Sequence, residues 1–255
     1  MMKKKIDKKN FLFIIISLVV VIVLIIISYI GYQINYHNEQ VSLLREEIVL
    51  IQELDLFEST YEIDTKTSGD YAYIEESIKA YYKDLSTNIK TIYAYLNDEN
   101  LIQILSAKNL KYDGPNFGDS FKILTNTREN INMTMNNIID LCNEEKIKNY
   151  LDKGKVSNYY YNLYIELMYE EEDLEMLNNT QKEMQEIKDN LSIFLDKVEG
   201  MLNMLKTNKN FWYIKDEQLY FETNKLVDDY NNLYNELNTF VIEKFSKYKN
   251  NNNEL

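Results

Sequence analysis

From Phe11 to Ile30 the chain reads FLFIIISLVVVIVLIIISYI, 20 residues without a charge, interrupted only by Ser17, Ser28 and Tyr29. As a helix rising about 1.5 Å per residue, the run spans about 30 Å, the thickness of a bilayer's hydrocarbon core. A cleavable signal peptide has a shorter apolar region and a small-x-small site. This run is long and leads into Tyr29, Ile30, Gly31 and Tyr32. The expectation is therefore an uncleaved, single-pass transmembrane helix.

Five lysines (Lys3, Lys4, Lys5, Lys8 and Lys9) precede the run against the single acid Asp7, and beyond it no Lys or Arg occurs before Arg45. The positive-inside rule places the basic stub in the cytoplasm and everything after Gly31 outside the cell membrane. Tyr29, Tyr32 and Tyr36 share a helix face where the outer interface would lie, a depth that suits amphipathic rings. A stub of residues 1–10 is too short for a core, so a signal sensed outside must pass to another protein.

One Pro and six Gly in 255 residues leave few helix breakers. The expected fold class is all-α: the anchor, then an extracytoplasmic multi-helix bundle with coiled-coil-like helices in its C-terminal half. The boundaries read as stub 1–10, span 11–30, juxtamembrane helix 31–60, helical region 61–152, long-helix hairpin or bundle 153–248, and polar tail 249–255. Net charge is −13; the stub contributes +4, so the remainder carries −17. Such a body repels nucleic acid and anionic lipid, and no nucleic-acid partner is expected.

Apolar residues mark the helices. Val41, Leu44, Ile48 and Ile51 form a short seam able to pair with another copy or pack back on the domain. Ile74, Ile78, Tyr81, Leu85, Ile89, Ile92 and Leu96 mark a helix over 70–96. Leu101, Ile104 and Leu105 fall in a short one. Lys111 to Asp119, with Gly114, Pro115 and Gly118, reads as a loop, followed by a helix over 120–143. A turn holds Ile147, Tyr150 and Leu151, and Ser157 is a candidate N-cap after Gly154. The stripe Tyr160, Leu163, Leu167, Leu174 and Leu177 shifts register near Asn178 and Asn179, where a break is expected. Thr180 and Glu183 match a capping box ahead of the 3-4 pattern from Met184 to Leu205. A second such pattern runs from Leu226 to Phe240. Between them, residues 206–221 read equally as a small β-hairpin or as a helix start with an aromatic plug.

Candidate chemistry is sparse. Asp64 to Glu75 has EF-hand spacing, with Gly69 at the sixth and Glu75 at the twelfth place, but Lys66 stands where a third-place oxygen ligand belongs. A capping role for Ser68 or Asp70 is simpler. Glu166, Glu170 and Asp173 share a helix face, yet di-iron bundles need Glu-x-x-His pairs and the only histidine, His37, lies beside the anchor. Cys142, the sole cysteine, reads as a buried structural thiol. No catalytic, cofactor-binding or metal-binding residue is assigned, and no enzyme is expected. Tyr, at 22 residues, serves as a large core residue or an interface residue.

The sequence thus suggests a membrane-anchored extracytoplasmic interaction or scaffolding protein, partnered by the bilayer and by other proteins or itself. An extracytoplasmic ligand-binding or sensory module acting through a separate membrane partner is the alternative.

Overall fold

Helices follow the apolar stripes almost throughout. The computed structural model describes residues 8–53, 64–169 and 173–250; for residues 8–23, 52, 173–174 and 246–250 it describes the backbone alone. Helix α1 runs unbroken over Lys8–Glu53. Helices α2 (Asp70–Leu96), α3 (Glu99–Ile102), α4 (Ala107–Asp113), α5 (Gly118–Leu141), α6 (Glu144–Lys148), α7 (Asn158–Met168) and α8 (Asp173–Thr207) follow. Strands β1 (Trp212–Lys215) and β2 (Gln218–Phe221) then form a hairpin, and α9 (Asn224–Asn250) closes the order. The protein is mostly helical, as expected. Among the described residues no helix is long and apolar enough to cross a membrane. The expected span, residues 11–30, falls largely on positions whose side chains lie outside the described residues.

Cross-links between helices fix their directions. His37 meets Tyr71, and Glu47 meets Lys79, so α1 and α2 rise together. His37 meets Tyr159, and Arg45 meets Glu166, so α7 rises with them. Helix α5 descends beside α2, with Asn137 bonded to Asn88 and Leu141 beside Tyr81. Helix α8 rises along α5, through Lys188–Asn136 and the fork from Arg128 to Asp196 and Glu199. Three apolar clusters stack along this body. Leu44, Ile48, Ile51, Ile74, Ile78 and Tyr164 centre the first, nearest the emerging end of α1. Tyr81, Leu141, Ile147 and Tyr169 form the second. The third and largest gathers α3, α4, α5, α8 and α9 around Leu124, Ile131, Met201, Leu202 and Leu205. The α1 seam therefore packs back on its own domain.

Several boundaries differ from the sequence reading, each for a local reason. The loop expected over 111–119 shrinks, because α4 extends to Asp113 and α5 starts at Gly118. Ser106 caps α4, and the Asp113 carboxylate accepts from the amides of Asp119 and Ser120, satisfying donors at the start of α5. The break expected near Asn178 and Asn179 lies instead at Tyr169, whose backbone is extended. Burying the Tyr169 ring beside Tyr81, Leu141 and Ile147 draws the chain out of the α7 path. Helix α8 then runs straight through both asparagines, so Thr180 and Glu183 sit inside a helix and form no capping box. Ser157 does occupy the N-cap of α7, though its side chain makes no capping bond.

Of the two readings of residues 206–221 the hairpin holds: α8 ends at Thr207, and β1 and β2 pair over 212–221. Trp212 and Ile214 face the core with Leu219 and Phe221, while Tyr213 and Tyr220 stack outside with ring centroids 5.5 Å apart. Its two-residue turn holds Asp216 at φ 49° and Glu217 at φ 58°. Hairpin turns of this kind favour Gly at the second place, since a Cβ is strained at positive φ. Glu217→Gly is therefore expected to raise stability by about 0.5–1 kcal/mol, read as a higher midpoint in thermal unfolding.

Candidate functional site

Two places concentrate the polar and the unfilled apolar character of the molecule. The first is the junction where α1 enters the domain. Lys79 and Glu75 lie one turn apart on α2, and their side chains are 6% and 2% exposed. The Lys79 ammonium donates to Glu75 Oε1 at 2.6 Å, to the Asp64 carbonyl at 2.7 Å and to Glu47 Oε2 of α1 at 2.8 Å. These acceptors account for all of its protons. Glu75 also accepts from the amides of Lys66 and Thr67 and from the Thr67 hydroxyl. Gln40 of α1 holds the next residue, accepting from the Ser68 amide at 2.8 Å. The segment 64–68 is thus threaded between α1 and α2 by side chains from both.

This geometry answers the EF-hand spacing. Glu75 does turn back onto the loop that starts at Asp64, but an ammonium and backbone amides occupy its oxygens. Burial alone would raise the Glu75 carboxyl; the bonds from Lys79, Lys66 and Thr67 outweigh burial and hold it below the usual range. Burial likewise opposes the charge on Lys79, and its two carboxylate partners reverse that and raise it. The signs follow. A carboxyl lowered in the folded state stabilises the fold above its unfolded pKa of about 4.3, and that contribution is lost as pH falls through the folded value. Lys79 contributes below about pH 10 and loses its contribution as pH rises through its folded value. Asp113, lowered by its capping bonds against burial, acts in the same sense as Glu75. Denaturant titrations are expected to show stability falling below about pH 4, with a shallower fall in Glu75→Gln.

Around the junction lies a collar of aromatic groups. Tyr71 and Tyr159 hydroxyls reach His37 at 2.5 and 3.0 Å, and Tyr36 bonds Ser68 at 2.9 Å. Tyr71 meets Tyr160 edge-on. Burial, reinforced by its tyrosine neighbours, pushes the Tyr71 phenol up. His37 is therefore hydrogen-bonded into the domain.

The other residues singled out in the sequence do not converge. Glu166 pairs with Arg45 at 3.4 Å. Glu170 lies outside the described residues, and Asp173 begins a different helix, so the expected common face does not extend along one helix. Among the described residues no group of three or more His, Cys, Asp or Glu is placed to hold a metal. Cys142 is buried, and burial pushes its thiol up.

The second place is an apolar cleft of about 370 Å³. Leu191, Phe194 and Val198 of α8 form one wall, and Leu237, Val241 and Phe245 of α9 form another. Leu96 and the α3 region close it, with Ile102 at the rim, 60% exposed. Every lining side chain is apolar. Nothing there supplies an acid, base or nucleophile; the cleft can exclude water and accept apolar surface. Sequence reasoning placed Leu191, Phe194, Val198 and Leu237 on helical stripes, but its last stripe ended at Phe240 without Val241 or Phe245, and pattern could not show that the space between the walls stays unfilled. The chain matches no protein family, no curated protein and no solved structure.

Proposed function

We propose that the protein is a membrane-anchored interaction module that stands outside the cell membrane and takes an amphipathic helix of a protein partner in the α8–α9 cleft. The observation that carries the reading is the cleft itself. Its walls present side chains at three- and four-residue steps, the spacing that receives the i, i+3, i+4 and i+7 residues of a docking helix. The anchor is supported by α1. From Leu24 to Ile34 its apolar side chains are exposed in several directions at once, with Leu24, Ile25, Ile26 and Ile27 each at least half exposed. A helix apolar on all sides needs an apolar surround, and for the run 11–30 lipid is the fitting one.

A photo-crosslinking residue at Ile102, in intact cells, tests the partner. A defined adduct is expected, absent when the crosslinker stands at Tyr112, which is 82% exposed outside the cleft. Val241→Glu, which puts an unpaired carboxylate in the desolvated groove, is expected to reduce capture about tenfold or more while the circular dichroism stays helical. Equal labelling from both positions, or capture indifferent to Val241→Glu, would overturn the reading.

The cleft volume also falls within the range of about 300–1,000 Å³ found for small-ligand sites. That favours a second reading, a ligand-binding or sensory module that signals through a separate membrane protein. An apolar compound retained by the full chain in native mass spectrometry, and lost on Val241→Glu, would support it.

A further inference from the structure

We propose that the end of the domain from which α1 emerges is seated on the headgroup layer of the bilayer, with Tyr36, Ser68, Asn158 and Tyr159 at the contact face. The proposal rests on the anchor reading above and adds a second surface of contact with lipid.

Helix α1 continues without interruption from the apolar run into the domain. The run ends at Ile30, and Tyr36 is already bonded to Ser68. Six residues of helix separate them, about 9 Å of rise. The interfacial layer of one leaflet is about 5–8 Å thick. A tilt of about 20°, ordinary for such helices, lowers one side of the domain further. No spacer therefore holds the domain clear of the headgroups.

The same level is reached by two other helices. Tyr71 and Tyr159, in the first turns of α2 and α7, both bond His37. All three helices rise away from this end, and helical side chains lean toward the N-terminus, so the rings here lean toward the bilayer. Tyr29, Tyr32 and Tyr159 are 62%, 65% and 53% exposed. A phenol ring with a polar tip suits the interfacial layer, where an apolar body and a wet end are both satisfied. Charge does not set the contact: in the segments leading into α2 and α7, Lys66, Lys153 and Lys155 are matched by Asp64, Asp70 and Asp152. The contact therefore belongs to the interfacial layer itself, whatever the headgroup charge.

The test places nitroxide labels on single cysteines in the full chain, in a Cys142→Ala background, reconstituted in phosphatidylcholine vesicles. The positions are Tyr32→Cys, Asn158→Cys, Tyr159→Cys and, as a remote solvent reference, Tyr112→Cys. Accessibility to a water-soluble nickel chelate is compared with accessibility to oxygen. Labels at 158 and 159 are expected to show severalfold lower chelate contact than the label at 112, and the same values when phosphatidylglycerol is added. Values at 158 and 159 equal to those at 112, with the label at 32 still protected, would overturn the seat and leave the anchor standing. A label at 32 as open to chelate as that at 112 would overturn the anchor and the seat together. Severalfold protection appearing only with phosphatidylglycerol would overturn the charge-independent contact.

Discussion

Lys79→Met is expected to destabilise the domain by about 3–5 kcal/mol, because it strips the cation from buried carboxylates and leaves their charge uncompensated. Glu75 is 2% exposed and Glu47 17%, so water cannot take the place of the ammonium without opening the junction. The penalty exceeds that of a surface pair, such as Arg45–Glu166 with both side chains more than half exposed, where about 0–1 kcal/mol is the usual worth. A double variant, Lys79→Met with Glu75→Leu, is expected to recover only part of the loss. It removes one of the two stranded charges, but Glu47 stays without its cation, and the amides of Lys66 and Thr67 lose the Glu75 carboxylate that accepts from them. Urea unfolding followed by circular dichroism gives the energies. Hydrogen exchange gives the location: amides of α1 around Glu47 should lose protection first, since the ammonium ties α1 to α2. Equal stability of Lys79→Met and the wild type would mean that the junction is solvated and the ion pairs are incidental.

How much of this was legible in the sequence depends on how local each cause is. Helix α2 begins at Asp70 and ends at Leu96 as its stripe implied, because the long run of buried residues repeats at helical spacing without a competing signal. Helix α5 starts and ends two residues early: at its start Asp113, five residues before Gly118, supplies caps the loop reading ignored, and beyond its end Asn143 caps α6 instead of continuing the helix. The failure near Asn178 has a tertiary cause. Tyr169 is buried against residues from α2, α5 and α6, and its path overrides a local register shift that the continuous α8 absorbs. The 206–221 segment was ambiguous because its strands are four residues each, too short for a period of two to stand out, and its turn lacks the Asn-Gly signature.

The candidate site was partly readable. Glu75 drew notice through its spacing from Asp64, and Lys79 four residues on is a recognisable helical ion pair. Glu47, the partner that makes the pair a clamp between helices, lies 32 residues away from Lys79 and carries no local mark. The cleft was not readable at all. Its walls come from α8 and α9, its end from α2 and α3, and whether four apolar stripes meet or leave room is a question of packing rather than of pattern.

Phe117→Ala is expected to cost about 3–5 kcal/mol, and Phe117→Gly is expected to cost less than the alanine variant, reversing the usual order of those two replacements. Phe117 is wholly buried, yet its backbone has φ 55°, a left-handed conformation that a bulky residue rarely adopts. The ring explains why the conformation persists. It stacks on Trp212 with centroids 5.9 Å apart and planes 16° from parallel, and so joins the α4–α5 corner to the hairpin. The approach is close: a Cβ at Gly114 would collide with the Trp212 ring. Removing the phenyl forfeits that packing in either variant. Alanine keeps the backbone strain, whereas glycine releases about 1 kcal/mol of it. Trp212 is the only tryptophan, so its fluorescence reports the change directly. Both variants should shift the emission to the red as the indole gains solvent, even though its N–H still reaches the Leu205 carbonyl. If the glycine variant proved the less stable of the two, the left-handed backbone at 117 would carry no strain. The ring's own share is read separately, from the cost of the alanine variant against the wild type, since both variants lose the stack on Trp212.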